Sequence, residues 1–518
     1  MKRQSTLNHV KVLFTIGCIL GMVFSGTTLA RNNPPDPLII ASGVDATILD
    51  PPRMTGQVTQ NMLFHIFDRL VGLDAKGNFI PILAKSWELK NPTTLVMHLR
   101  DDVTFSNGEK FTAEDVKFSL ERYTDPNLPG KTLAKTLQST GQLSGVEVID
   151  DYTVALKTKA PAPLLIPVLV RYCIMPKAYY TSTDLETLVS KPVGSGPYIL
   201  KEWIKDEKLV MEANENYWLG KPTIKTVIWR SIPETGTRIS ELVTGNVHIV
   251  SDVPPDLINS IKTDKSRVSA TAGLRLMYTG IVTNDPNLPT SDKRVRQAMN
   301  YAIDKKAITD SIFHGMTKPF DSLFPDAFAN PDVKAYPYDP KKAKALLKEA
   351  GYPNGFTIEM ASPNGRNLKD VEVAQVVATY LQQVGIKVKF NAYDWVTYSR
   401  LMKSKKAEWK LYFMGQGGWV TMLQNLARTF DVRQSPWALH AWAPEKFVQL
   451  FDEASTEANP EKHKALMWEA EQLIWDECPW IFLYKQPLIY GVSKDLNWDI
   501  WPTGQVVLHW TVLPALQE

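Results

Sequence analysis

The chain of 518 residues is 44% hydrophobic and 22% charged, with 28 Gly and 35 Pro. That length suits roughly two to four domains or one large interleaved unit, and the near-average composition excludes disorder, collagen and coiled coil. A formal charge of +3 leaves no electrostatic footprint for nucleic acid or an anionic membrane surface. Tryptophan is the unusual feature: of 15 residues, eleven lie at or after Trp395.

Residues 1–30 read as a secretory signal peptide. Lys2 and Arg3 give a charged start, Val12 to Phe24 is apolar, and Thr28-Leu29-Ala30 ends in small residues. The apolar run is too short for the ~20 residues of a membrane span. Cleavage near Ala30 removes Lys2, Arg3 and Lys11 and no acid, leaving acids and bases in equal number. The mature chain is then expected in the periplasm. Its two cysteines, Cys173 and Cys478, either pair or remain thiols, and their apolar surroundings favour buried thiols.

After a Pro-rich lead-in, Leu38-Ile39-Ile40-Ala41 predicts a first strand. Leu95, Met97 and Leu99 alternate with His98 and Arg100, as a half-buried strand does. Thr112 and Asp115 form a capping box that starts a helix through Val116, Leu120 and Tyr123. Asp339 caps the next helix, with Pro340 at its first position, Ala343, Leu346, Leu347 and Ala350 as its apolar stripe and Gly351 as its stop. Val373, Val377, Tyr380, Leu381 and Val384 make a second stripe, closed by Gly385, and Ile386, Val388 and Phe390 then alternate as a strand. Helix followed directly by strand is the rhythm of a crossover-connected α/β sheet.

The chain carries no HExxH, GxSxG, Walker loop, CxxC or zinc-spaced pattern. Its histidines are scattered. Ser195, within Val193-Gly194-Ser195-Gly196-Pro197, lacks the spacing of a nucleophile elbow and reads as part of a tight turn. Gly415-Gln416-Gly417-Gly418 reads as a close backbone approach to a ligand or partner rather than a nucleotide loop. No catalytic residue, metal ligand or cofactor is expected, and the chain reads as a non-enzyme.

Ordered segments then carry a family likeness: Leu49-Asp50-Pro51 through Phe67-Asp68-Arg69-Leu70-Val71; Pro81 to Trp87; Leu99 to Gly108; Phe111 to Val116; Pro192 to Tyr198; Val295 to Ala298 with Ala302-Ile303-Asp304; and Tyr338-Asp339. Together they resemble the family 5 extracellular solute-binding proteins, the dipeptide- and oligopeptide-binding group. The resemblance implies an α/β, bilobal class II periplasmic-binding fold with an extra domain inserted in the first lobe. It places lobe one at 31–74, 191–280 and 485–518, the inserted domain at 75–190 and lobe two at 281–484. It further implies a monomer that captures a peptide or peptide-like solute for the permease subunits of an ABC importer in the inner membrane. The alternatives are the same scaffold holding an oligosaccharide, an opine-like or a glutathione-like conjugate, a chaperone-like or receptor-type interaction protein, or a secreted hydrolase.

By the same resemblance, Thr55, Gly56 and Gln57 line the ligand from lobe one, with Thr55 where oligopeptide binders carry a carboxylate. In lobe two, Gly418, Trp419, Val420, Thr421 and Met422 match the family's Gly-Trp-x-x-Asp segment. Met422 stands where the Asp that holds a peptide's α-ammonium would be. Either another acid, Asp394 or Asp431, takes that role or the ligand presents no free α-ammonium there. Trp395, Trp419, Trp437 and Trp442 are candidates to face the cleft, since aromatic faces hold rings and cations well. Trp468, Trp475 and Trp480 are expected in the core. Arg428 and Arg433 either clamp a ligand carboxylate or are solvated surface charges.

Overall fold

The run at Leu38 becomes β1 (Leu38–Ser42), buried on nearly every residue because it lies inside a sheet with neighbours on both sides. The computed structural model describes residues 34–54, 56–128, 137–138, 142–404, 407–417, 426, 430, 442–457 and 459–508. The expected leader falls outside them. β2 (Val71–Leu73) and β3 (Phe79–Pro81) pair as a short hairpin. A separate antiparallel sheet follows, built from β4 (Ala84–Asn91), β5 (Thr94–Leu99), β6 (Leu143–Asp150) and β7 (Thr153–Thr158) in the order β4-β5-β7-β6. Its covering helix, Ala113–Thr124, starts at the expected capping box, where Asp115 accepts the Thr112 N–H at 2.8 Å. β5 is buried on both faces except at His98, so its half-exposed reading holds only at that end.

The main sheet adds β8 (Tyr198–Ile204), β9 (Lys208–Ala213), β10 (Thr226–Ser231), β11 (Ile249–Val250) and β12 (Ser266–Ile281). It continues with β13 (Phe356–Asn364), β14 (Ile386–Asp394), β15 (Leu411–Gly417) and β16 (Trp480–Ser493). Its ten strands run β14-β13-β15-β12-β16-β11-β1-β10-β9-β8. The predicted helix–strand rhythm is realised at β13 and β14, which pair in parallel across the helix Asp370–Gln383. The helix Pro340–Glu349 begins as expected, with the Asp339 carboxylate accepting the Lys342 N–H at 2.9 Å.

Two long antiparallel strands hold the sheet together. Ser266–Ala272 of β12 pairs with Ser493–Pro487 of β16, the register slips between Ala272 and Leu276, and Leu276–Gly280 then faces Lys485–Trp480. On one side of this irregularity the neighbours are β11, β1, β10, β9 and β8; on the other they are β15, β13 and β14. Among the described residues, the two sets of strands therefore share only β12 and β16. A slip of this kind locally bends and twists the strand pair.

The cores divide in the same way. Leu38, Met97, Tyr198, Trp229 and Trp498 belong to one buried cluster, and Met277, Met360, Leu381, Phe413 and Leu483 to another. A third is rich in aromatics: Tyr278 stacks on Trp480 at 3.5 Å between ring centres, and Trp475 on Phe482 at 4.2 Å. Trp475 and Trp480 are core residues, as expected, and Trp468 packs half-buried against them. Trp442 is a correction. It is buried in that same core against Phe430 and Phe447, so its ring is not a cleft-facing platform. Cys173 and Cys478 are free and buried, and burial pushes each thiol up to about 12.

Candidate functional site

The irregularity in β12 is also where polar groups gather. Gly273-Leu274-Arg275 fills the slipped stretch, and Gln486 stands opposite it on β16. A methyl group on Gly273 would meet the Gln486 carbonyl at 2.9 Å and Leu488 Cγ at 3.1 Å, so glycine lets the two strands close here. β15 pairs alongside, with Gly417 opposite Arg275. Gly417 has φ +121, and a side chain there would strike the Leu274 carbonyl at 2.6 Å. At Gly415 a Cβ would sit 2.8 Å from Asn367 Oδ1, 2.8 Å from Met277 Sδ and 3.1 Å from Arg275 Cδ. At Gly415 and Gly417 the chain itself makes a close approach. Gly418 lies outside the described residues.

The Gly415 contacts show that Arg275 and Asn367 meet over one point of β15. Arg275 is half-buried and gives one Nη1 hydrogen bond, to the Gly415 carbonyl at 3.2 Å. No carboxylate pairs with it among the described residues. Desolvation and, secondarily, the charge of Arg366 lower its proton affinity. Asn367 is held by a tight turn. The Asp370 carboxylate accepts the N–H groups of Gly365, Arg366, Asn367 and Val371 at 2.9–3.1 Å, which fixes the loop between β13 and the following helix. Asn367 Nδ2 is nevertheless buried without a partner, as is Gln486 Oε1. Arg366, exposed on the same turn, lays its guanidinium 4.8 Å from the Trp395 ring centre.

Of the residues predicted from lobe one, Gly56 and Gln57 are described. Gly56 sits at the N-cap of the helix Gln57–Ile66 with φ 78. Gln57 Nε2 donates to the Gly504 carbonyl at 3.2 Å and to Asn61 Oδ1 at 3.3 Å, fastening the C-terminal tail. Leu488 links this corner to the slipped strand, since both Gly504 and Gly273 lie against its side chain. Gln57 thus meets the C-terminal tail at Gly504, and Trp395 meets Arg366 on the turn that carries Asn367. Thr55, Trp419, Val420, Met422, Arg428, Asp431, Arg433 and Trp437 are outside the described residues. Asp394 has another task. It is exposed and accepts the Thr397 N–H at 3.0 Å at the start of the next helix; hydrogen bonds at that cap hold its carboxyl below the usual range.

Sequence reasoning missed Arg275, Asn367 and Gln486. The available signal was Gly273 inside a strand, which marks a bulge or close approach. Ser195 is buried and donates to Asp68 Oδ2 at 3.2 Å beside Tyr217 and Trp218. Gly194 and Gly196 around it pack against the Ile66 carbonyl, so the segment is structural, as read. A separate cavity of about 580 Å³ lies between β3–β5 and Phe328 with the start of the helix Pro460–Glu477. None of the predicted site residues lines it. No group of metal ligands occurs among the described residues.

A split sheet, two shared strands and polar groups collected at the split define a bilobal solute-binding fold of the periplasmic class. The same fold appears in HbpA2 from Haemophilus parasuis, with a TM-score of 0.82, 26% identity and coverage of 91% of this chain and 98% of that one. DppA from Helicobacter pylori, solved with the peptide STSA, aligns with a TM-score of 0.71 at 26% identity over 92% and 98%. The model of bacterial extracellular solute-binding proteins, family 5 Middle, matches residues 78–436. Heme-binding protein A of Haemophilus influenzae is 30% identical over 80% of this chain and 81% of its own. Glutathione-binding protein GsiB of Shigella flexneri is 29% identical over 96% and 97%. The chain belongs to the family 5 bacterial extracellular solute-binding proteins, the substrate-binding components of ABC importers.

Proposed function

We propose that this chain, exported by its leader to the periplasm, captures a peptide-like solute between its lobes as a monomer and hands it intact to inner-membrane permease subunits. The observation that carries the reading is the pair β12 and β16, which among the described residues alone join two sets of strands and slip register at Ala272–Leu276. Such a junction absorbs the rotation of one lobe against the other on ligand closure. Lobe one is then 31–74, 191–280 and 485–518, lobe two 281–484 and the inserted domain 75–190, with the changeover on the two shared strands.

Thr55, Gly56 and Gln57 contribute to the pocket from lobe one, and Gly418, Trp419, Val420, Met422, Trp395 and Arg428 from lobe two. The Gly418–Val420 backbone offers an edge for an extended ligand. Relatives named for glutathione and solved with a bound peptide support a peptide-like solute, whereas one named for heme supports a non-peptide solute. A second reading, a non-peptide acid or conjugate, is favoured by Met422 in place of an acidic anchor and by the capping role of Asp394. The hydrolase reading predicts that the bound compound is recovered cleaved.

Mass spectrometry of whatever co-purifies with the mature protein tests the class directly. An intact peptide-like compound supports capture. Met422→Asp is expected to weaken that native ligand and to improve binding of free-amino peptides, as titration calorimetry would record. If affinity for both is unchanged, Met422 does not line the pocket.

A further inference from the structure

We infer that the cavity between the inserted sheet and lobe two is a second binding site, for a neutral, mainly apolar small molecule, and that filling it favours lobe closure. The link to closure rests on the solute-capture reading; the site itself does not. At about 580 Å³ the space has the size of a small-molecule pocket. Its two walls belong to different cores. Phe79, Trp87 and Leu95 pack with the cluster that holds Leu38 and Met97, whereas Phe328 packs with the aromatic cluster around Trp475 and Trp480. The walls meet where the Phe79 and Phe328 rings stand 6.1 Å apart. Leu164, in the loop after β7, is buried in the aromatic cluster, although Leu165 beside it belongs to the other core. Rotating one lobe about the β12–β16 slip would part these walls, so a molecule that touches both favours the closed arrangement.

The inserted wall is an apolar row that runs past its core. Trp87 and Leu89 share one face of β4, opposite Met97 and Leu95 of β5. Met97 and Leu95 are buried, Trp87 is half-buried and Leu89 is 54% exposed, so the row ends on the cavity with a large apolar side chain uncovered. The facing rim offers no net charge to select an ion. Asn459 Oδ1 already accepts the Glu461 and Lys462 N–H groups at the start of the helix Pro460–Glu477. Lys464 pairs with Glu461 at 2.9 Å, and His463 donates to the Ala454 carbonyl at 2.8 Å while burial lowers its pKa. Glu88, exposed at the rim, disfavours an anion. Such walls suit an uncharged apolar body, and burying a charge against them would be costly.

The test uses the full mature chain and N-phenyl-1-naphthylamine, an uncharged fluorophore that brightens on leaving water. Wild type is expected to bind it at one saturable site. Leu89→Glu, at an exposed position, and Phe328→Ala, on the opposite wall, should each lower that affinity by about 10-fold or more. Unchanged binding in both variants, or none in wild type, overturns the site. Saturation with the compound recovered from the protein should raise affinity for the fluorophore, and the fluorophore should raise affinity for that compound by the same factor. Displacement of one by the other would put the fluorophore in the cleft and overturn the site; independent binding would overturn only the link to closure. If no compound is recovered, the capture reading fails and the link to closure with it, while the two variants still decide the site.

Discussion

Replacing Asp50 with alanine should destabilise the protein by about 3–5 kcal/mol, the cost of stranding a buried charge. Asp50 is fully buried and Arg122 is 9% exposed. Their two oxygens and two nitrogens pair at 2.7 and 3.2 Å, and the Arg122 guanidinium also lies 5.1 Å from the Tyr180 ring centre. The bridge fastens the segment after β1 to the helix Ala113–Thr124 over the inserted sheet. Without Asp50 the guanidinium stays buried and unpaired. Urea unfolding should therefore move to much lower midpoint with an unchanged slope. The double variant Asp50→Leu with Arg122→Met should recover most of the loss, since an apolar pair of similar volume removes the stranded charge. A small effect of Asp50→Ala alone would mean that water reaches Arg122.

Glu471 predicts a pH-dependent effect of comparable size and opposite sense. Its carboxyl is fully buried; Oε1 accepts from the Ser322 hydroxyl at 2.7 Å and from the Leu323 N–H, while Oε2 has no partner. Burial, the dominant cause, raises its pKa to about 7. A carboxyl with a raised folded-state pKa contributes stability that is fully present below about 4.5, its ordinary value, and is lost as pH rises through 7. Glu471→Gln cannot ionise. The stability of the variant relative to wild type should therefore climb by about 3 kcal/mol between pH 4.5 and 8.5, from 1.36 kcal/mol per pKa unit. Asp68, raised to about 6, and His65, lowered to about 4, also titrate in this range, but they do so in both proteins and cancel in the difference. Parallel unfolding curves for the two proteins at every pH would show that Glu471 is not the titrating group.

Local rules carried much of the fold. The Asp339–Pro340 start, the apolar stripe at Val373, Val377 and Leu381 and the glycine at 385 each act within a few residues, and each element formed where its pattern lies. Long-range partners left no such trace. Nothing in Leu49-Asp50-Pro51 points to Arg122, 72 residues away, although that ion pair gives the motif its physical purpose. The site was less legible for the same reason. Arg275 looks like any charged residue in a strand until the slip opposite Gln486 and the turn around Asp370 bring Asn367 to it. Trp442 was misread because tryptophan serves cores and ligand platforms alike, and only its neighbours Phe430 and Phe447 distinguish the two. Lobe-one candidates Gly56 and Gln57 were placed by their spacing from the Leu-Asp-Pro segment; in the fold they start the helix Gln57–Ile66, and Gln57 holds the tail at Gly504.

Small-angle scattering of the mature protein, stripped of solute and then saturated with the compound recovered from it, bears most directly on capture by lobe closure. The radius of gyration should fall on saturation, while the compound remains chemically unchanged. Identical scattering curves at full occupancy would contradict a hinge at the β12–β16 slip.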